Sequence, residues 1–100
     1  MIKAYILSFD RDDYLDYLDY LDYVNIHNSI IQLPIVINWS HYLKTSYVLI
    51  SNADIQTLHL EISKILPQKQ FLLLEVNLKR RQGWLPKQAW EWFNTQSMLI

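Results

Sequence analysis

Two segments near opposite ends of the chain, residues 2–9 and 71–78, are apolar on both of their alternating faces. In the first, Ile2, Ala4 and Ile6 fall on one side, while Tyr5, Leu7 and Phe9 fall on the other. The second, Phe71-Leu72-Leu73-Leu74-Glu75-Val76-Asn77-Leu78, reads the same way. Strands of this kind are stable only when both faces are covered. Each such face is expected to need a cover. Between them, residues 47–50 form a third strand rich in β-branched and aromatic side chains, and residues 36–43 form its hairpin partner, with Lys44-Thr45 near the turn.

Helical patterns separate these strands. In residues 53–66, Ile55, Leu58, Ile62 and Ile65 make one stripe at spacings of three, four and three. Ser51 with Asp54 three positions on resembles a capping box, and Pro67 ends the helix. A last helix begins at Pro86, in its first turn, and runs to about Thr95. The order is β-α-β-β-α-β plus a C-terminal helix. It predicts one α+β domain over residues 1–100, ferredoxin-like, with a four-stranded antiparallel sheet in the order 4-1-3-2. Such a sheet carries its two crossover helices on one face. The opposite face, apolar here, needs the C-terminal helix, a second subunit, or both, and a homodimer is expected.

The other helical stretch holds the oddest segment, residues 13–23, in which Asp-Tyr-Leu repeats with a period of three. Against 3.6 residues per turn, each residue type drifts by about 60° per repeat, so Asp13, Asp16, Asp19 and Asp22 wind around the helix instead of converging. Ile26, Ile30 and Leu33 then fall at good helical spacing. Extended backwards, that stripe runs into Asp19, which predicts a break or bend near residues 25–29 or an N-terminal half that projects. The repeat reads as a lengthened helix, with a Tyr/Asp docking surface as the sharper alternative.

Composition narrows the functions. The net charge is −1, so attraction to nucleic acid must come from a local patch. Without cysteine there is no disulfide, thiol nucleophile or cysteine-ligated zinc. No apolar run reaches the length of a membrane span, the N-terminus lacks a signal-peptide pattern, and a cytoplasmic location is expected. The one local patch is Lys79, Arg80 and Arg81 with Trp84 and Lys87, in a segment that also holds the only glycine and three of the four tryptophans. Cations there would hold phosphates while a Trp stacks a base. The competing reading has Trp84, Trp90 and Phe93 sealing the sheet and the basic triplet forming a solvated turn. On that reading Trp84 and Trp90 are buried anchors.

Acidic and histidine residues offer further candidates. Asp10, Asp12 and Asp13 cluster where the first strand ends, and carboxylates suit Mg²⁺, although Asp12 or Asp13 would equally cap a helix. His27, His41 and His59 share no ligand spacing, and His59 reads as a core-edge residue. Glu75 interrupts an apolar run and reads as a salt-bridged edge residue. No Gly-rich phosphate loop is present.

The opening Tyr5-Ile6-Leu7-Ser8-Phe9-Asp10, a hydrophobic strand closed by an aromatic-Asp pair, resembles the first strand of Cas2-like and VapD-like proteins. The run Gly83-Trp84-Leu85-Pro86-Lys87-Gln88-Ala89-Trp90 resembles the closing segment of a group of small bacterial proteins with the same opening strand. The resemblance implies a dimeric ferredoxin-like domain. It also implies, for the nuclease members, that Asp10, with Asp12 beside it, would help hold a catalytic Mg²⁺. The sequence after Asp10, Arg-Asp-Asp-Tyr, departs from the short polar turn of that family. Three functions follow as expectations: a homodimeric interaction or nucleic-acid-associated module without catalysis or cofactor; a Mg²⁺-dependent nuclease using Asp10; or a protein-binding antitoxin, immunity or accessory subunit.

Overall fold

The structure, a computed structural model, describes residues 1–9, 17–43, 46–67 and 69–100, with residues 17–22 described by their backbone alone. Strand β1 is Lys3–Phe9, helix α1 Tyr17–Ile31, β2 Val36–Leu43, β3 Ser46–Ser51, α2 Ile55–Ile65, β4 Phe71–Val76 and α3 Lys87–Leu99. The sheet runs β2-β3-β1-β4 with every neighbouring pair antiparallel. This is the expected α+β, ferredoxin-like arrangement, with α3 as the added helix. The Lys44-Thr45 turn, Asp10, Asp12, Asp13 and the first part of the Asp-Tyr-Leu repeat lie outside the described residues.

Register divides the sheet into two unlike faces. Leu7 lies opposite Tyr47 on one side and Leu73 on the other, and Tyr5 lies between Leu49 and Glu75. These side chains share the inner face with Phe9. Ile26 and Ile30 of α1, Leu58 and Ile62 of α2 and Leu66 close over it in one buried cluster. Fully burying each large aliphatic side chain contributes about 1.5–3 kcal/mol, so this face carries most of the folding free energy. Tyr5 keeps a polar tip inside the core by donating its hydroxyl to the Ala53 carbonyl at 2.7 Å, and burial raises its pKa above the usual value.

The outer face shows Ala4, Ile6 and Ser8 of β1 beside Val48 and Ile50 of β3 and Leu72, Leu74 and Val76 of β4. Its core is small: Ala4, Ile50 and Leu78 are buried, with Trp92 and Phe93 of α3 packed against them. The helix does not span the face. Leu72 and Leu74 on edge strand β4 remain 56% and 46% exposed. The expectation that β4 is covered on both sides fails there. Lys3 reaches Glu75 at 3.4 Å, an exposed edge pair of the kind expected for Glu75.

Three local expectations change. Helix α1 runs unbroken through residues 25–29. On either side of Ile26, Tyr23 and His27 turn toward the sheet, and their polar tips are bonded by strand residues. The cap of α2 is Asp54, not Ser51: Asp54 sits in extended backbone and accepts the Thr57 N–H at 2.8 Å. That backbone N–H, helped by the Thr57 side chain, holds the Asp54 carboxyl below its ordinary pKa. Ser51 instead accepts from the Ala53 N–H at 3.0 Å, closing the turn before the helix. The cap shift puts Ile55 in the exposed first turn and leaves Leu58 and Ile62 as the buried pair of the stripe. His59 stays outside the core on α2, its ring 5.4 Å from Phe71. Among the described residues, no helix is long and apolar enough to cross a membrane.

Candidate functional site

Where β4 ends, the chain turns sharply. The Asn77 side chain accepts the Lys79 N–H at 3.0 Å, and the Asn77 carbonyl accepts the Arg80 N–H at 3.2 Å. Leu78 is buried with Ala4 and Ile50 under Trp92 and Phe93 of α3, and Lys79 and Arg80 are exposed. Arg81 folds back. Its guanidinium donates to the Leu78 carbonyl at 2.7 Å and to the Asn94 side-chain oxygen on α3. Arg81 is thus a staple between the turn and the helix, with part of its donor capacity already used.

Gly83 follows with φ +156° and open space where a Cβ would stand, a backbone that side-chain-bearing residues rarely adopt. The kink aims the next residue into solvent: Trp84 is 97% exposed. The sequence expectation of a buried Trp84 anchor is overturned. Leu85 turns back inward, and Pro86 sits one position earlier than expected, as the N-cap of α3, its carbonyl accepting the Ala89 N–H at 2.9 Å. Trp90 is half-buried beside Phe93 at 6.1 Å, and Trp92 meets Phe93 edge-on at 5.2 Å. On α3, Lys87 lies 4.0 Å from Glu91, a solvent-exposed pair worth little in stability.

The five residues of the basic-aromatic cluster are therefore separated by role. Arg80 and Arg81 line a cavity between α3 and the outer sheet face, whereas Lys79, Trp84 and Lys87 do not line it and stand exposed. Arg80 makes no side-chain hydrogen bond or ion pair among the described residues. Asp10 and Asp12 lie outside the described residues, and among the described residues no group of three or more His, Asp or Glu is placed to hold a metal ion.

A second cluster, on the inner face, was not anticipated from the sequence. Tyr23 and His27 of α1 meet Trp39 and His41 of β2 and Tyr47 of β3. His41 and Tyr47 stack at 4.0 Å, and His27 lies 5.8 Å from His41 and edge-on to Trp39 at 5.3 Å. His41 Nδ1 lies 3.0 Å from the Ser46 carbonyl, which only accepts, so this nitrogen carries a proton. In the neutral ring, Nε2 then accepts the Tyr23 hydroxyl at 2.7 Å. His27 Nδ1 pairs with the Tyr47 hydroxyl at 2.5 Å. Burial, and then the neighbouring His41, lower the pKa of His27. With both His41 nitrogens engaged, this network ties α1 to the hairpin. Two spacings put pairs of its members on one face: i,i+4 for Tyr23 and His27 on a helix, and i,i+2 for Trp39 and His41 on a strand.

Comparison with family models, with curated proteins and with solved structures finds no match to this chain.

Proposed function

We propose that this protein is a non-catalytic, nucleic-acid-associated module that binds single strands and works as a homodimer. The observation that carries this reading is Trp84, an almost fully exposed indole on a chain segment flanked by the exposed cations Lys79, Arg80 and Lys87. A tryptophan left in water adds nothing to the fold. Against an unpaired base, such a ring contributes about 1–3 kcal/mol by stacking. The cations supply phosphate contacts that are independent of sequence. Arg81 is left out of this set because it staples the turn. The dimer half of the reading rests on edge strand β4, where Leu72 and Leu74 are exposed and Leu72 shares a groove with the exposed Leu60 of α2. Bare apolar strand edges of this kind invite a partner.

Fluorescence anisotropy with a labelled oligothymidylate at several salt concentrations tests the first half. Binding should weaken steeply with salt. Arg80→Ala should reduce the slope of log K against log salt by about 0.7, because one phosphate fewer is neutralised. Absence of salt-sensitive binding removes the reading and leaves a protein partner as the better one. Sedimentation at micromolar concentration tests the second half: twice the chain mass is expected, and a clean monomer rejects it.

The ferredoxin-like strand order also favours a second reading, a Cas2/VapD-type nuclease in which Asp10 holds Mg²⁺. Cleavage that requires Mg²⁺ and disappears in Asp10→Asn, with the fold intact, would replace the binding module by an enzyme.

A further inference from the structure

The cavity beneath α3 has its own chemistry, distinct from the outward-facing Trp84. Its floor is Ile6, Val48 and Val76 of the sheet, and its roof is Leu85, Trp90 and Phe93. The cavity has a volume of about 420 Å³ and opens to solvent on one side, a size in the range of small-molecule sites. Water in so apolar a space forms few hydrogen bonds, and an apolar body would displace it favourably. The polar groups are one-sided in charge. Arg80 and Arg81 line the cavity, and no acidic side chain does so among the described residues. Arg80 is available to a ligand, while Arg81 is held in place by Leu78 and Asn94. The Tyr42 hydroxyl reaches the Gln88 carbonyl at 3.5 Å and ties β2 to the start of α3, bridging the cavity at that end.

We propose that this cavity binds a small amphipathic carboxylate, its apolar body between the sheet and α3 and its carboxylate on Arg80. The charge balance selects the class: two arginines and, among the described residues, no acidic one line an apolar space, which focuses positive potential there. A guanidinium also grips a carboxylate through two parallel hydrogen bonds.

The full chain titrated with decanoate, and separately with decanol, tests this. Calorimetry should give saturable one-to-one binding of decanoate, and the Trp90 indole N–H resonance should shift. Arg80→Gln should weaken decanoate about tenfold, because a charge-assisted pair is removed, and leave decanol essentially unchanged. Val48→Phe, which fills the floor, should abolish binding of both. If that variant melts early, Leu85→Trp fills the same space from the loop. Trp84→Ala should leave decanoate binding intact while weakening oligothymidylate, which separates the cavity from the indole although Arg80 serves both. The proposal is overturned if decanoate gives no saturable binding. It is equally overturned if decanol binds as tightly and Arg80→Gln changes neither ligand, or if a folded cavity-filling variant binds as before.

Discussion

The two faces of the sheet are built from the same strands yet finished differently. On the inner face, α1 and α2 close over Tyr5, Leu7, Tyr47 and Leu49 and leave them with no exposure to solvent. On the outer face, one helix reached through an irregular ten-residue segment (residues 77–86) covers part of the sheet. It buries Ala4, Ile50 and Leu78, shelters a cavity, and leaves Leu72 and Leu74 in water. The contrast follows from connectivity. Both crossover helices of a βαββαβ order lie on one side of the sheet, so that side is sealed by the chain path itself. The other side depends on whatever is appended. It is therefore where shape can change without loss of the fold, and where exposed tryptophan and arginine accumulate.

The largest effect is expected on the inner face. Leu49→Ala, on a central strand beneath both helices, should cost about 2–5 kcal/mol in urea unfolding through forfeited transfer energy and a residual cavity. A cost near that of a surface substitution would mean the inner face is not the stabilising one. On the outer face, Phe93→Ala should cost less, about 1–3 kcal/mol, because the ring is half-buried and already borders a cavity. If it costs as much as Leu49→Ala, the two faces are energetically alike and the contrast fails.

A smaller effect sharpens the inner face. His27 has a folded pKa below its ordinary 6.5, caused first by burial and then by His41. Unfolding therefore takes up a proton between the folded value and 6.5, and stability rises with pH across that interval. The contribution is complete above 6.5 and is lost as pH falls through the folded pKa. The melting midpoint should drop as pH is lowered below about 6.5, and His27→Gln should flatten that dependence. A midpoint that is level across this range would show that the histidine titrates as it does in water. The Asp54 cap titrates lower, below the usual carboxylate value of 3.8, so the two effects separate by pH.

How far the sequence foretold this molecule depends on the kind of residue involved. Strand order was legible because β1 and β4 are apolar on alternating positions and because the stripe of α2 has a helical period. The choice of cap between Ser51 and Asp54 was not, because both residues can cap and only backbone conformation decides. A break in α1 was expected because its apolar stripe, extended backwards, runs onto Asp19; the helix is continuous, and Tyr23 and His27 pack their rings there with tips bonded to His41 and Tyr47. That network joins residues from three elements, and its members are adjacent only after folding. At the candidate site, the cations and the indole were identified as a set, but their fates were not. Arg81 turned inward because Leu78 and Asn94 present acceptors to it, and Trp84 turned outward because Gly83 permits a φ of +156°.

The smallest expected effect on stability belongs to the residue that matters most to the functional reading. Trp84→Ala, measured at once for unfolding free energy and for oligothymidylate affinity, puts packing and binding in direct opposition. The account predicts unfolding within about 0.5 kcal/mol of the parent, as for a surface position. It predicts with it an affinity loss of about 1–3 kcal/mol, the worth of one stacked base. A variant that binds as tightly as the parent but unfolds several kcal/mol more easily would contradict it, because the indole would then be serving the fold.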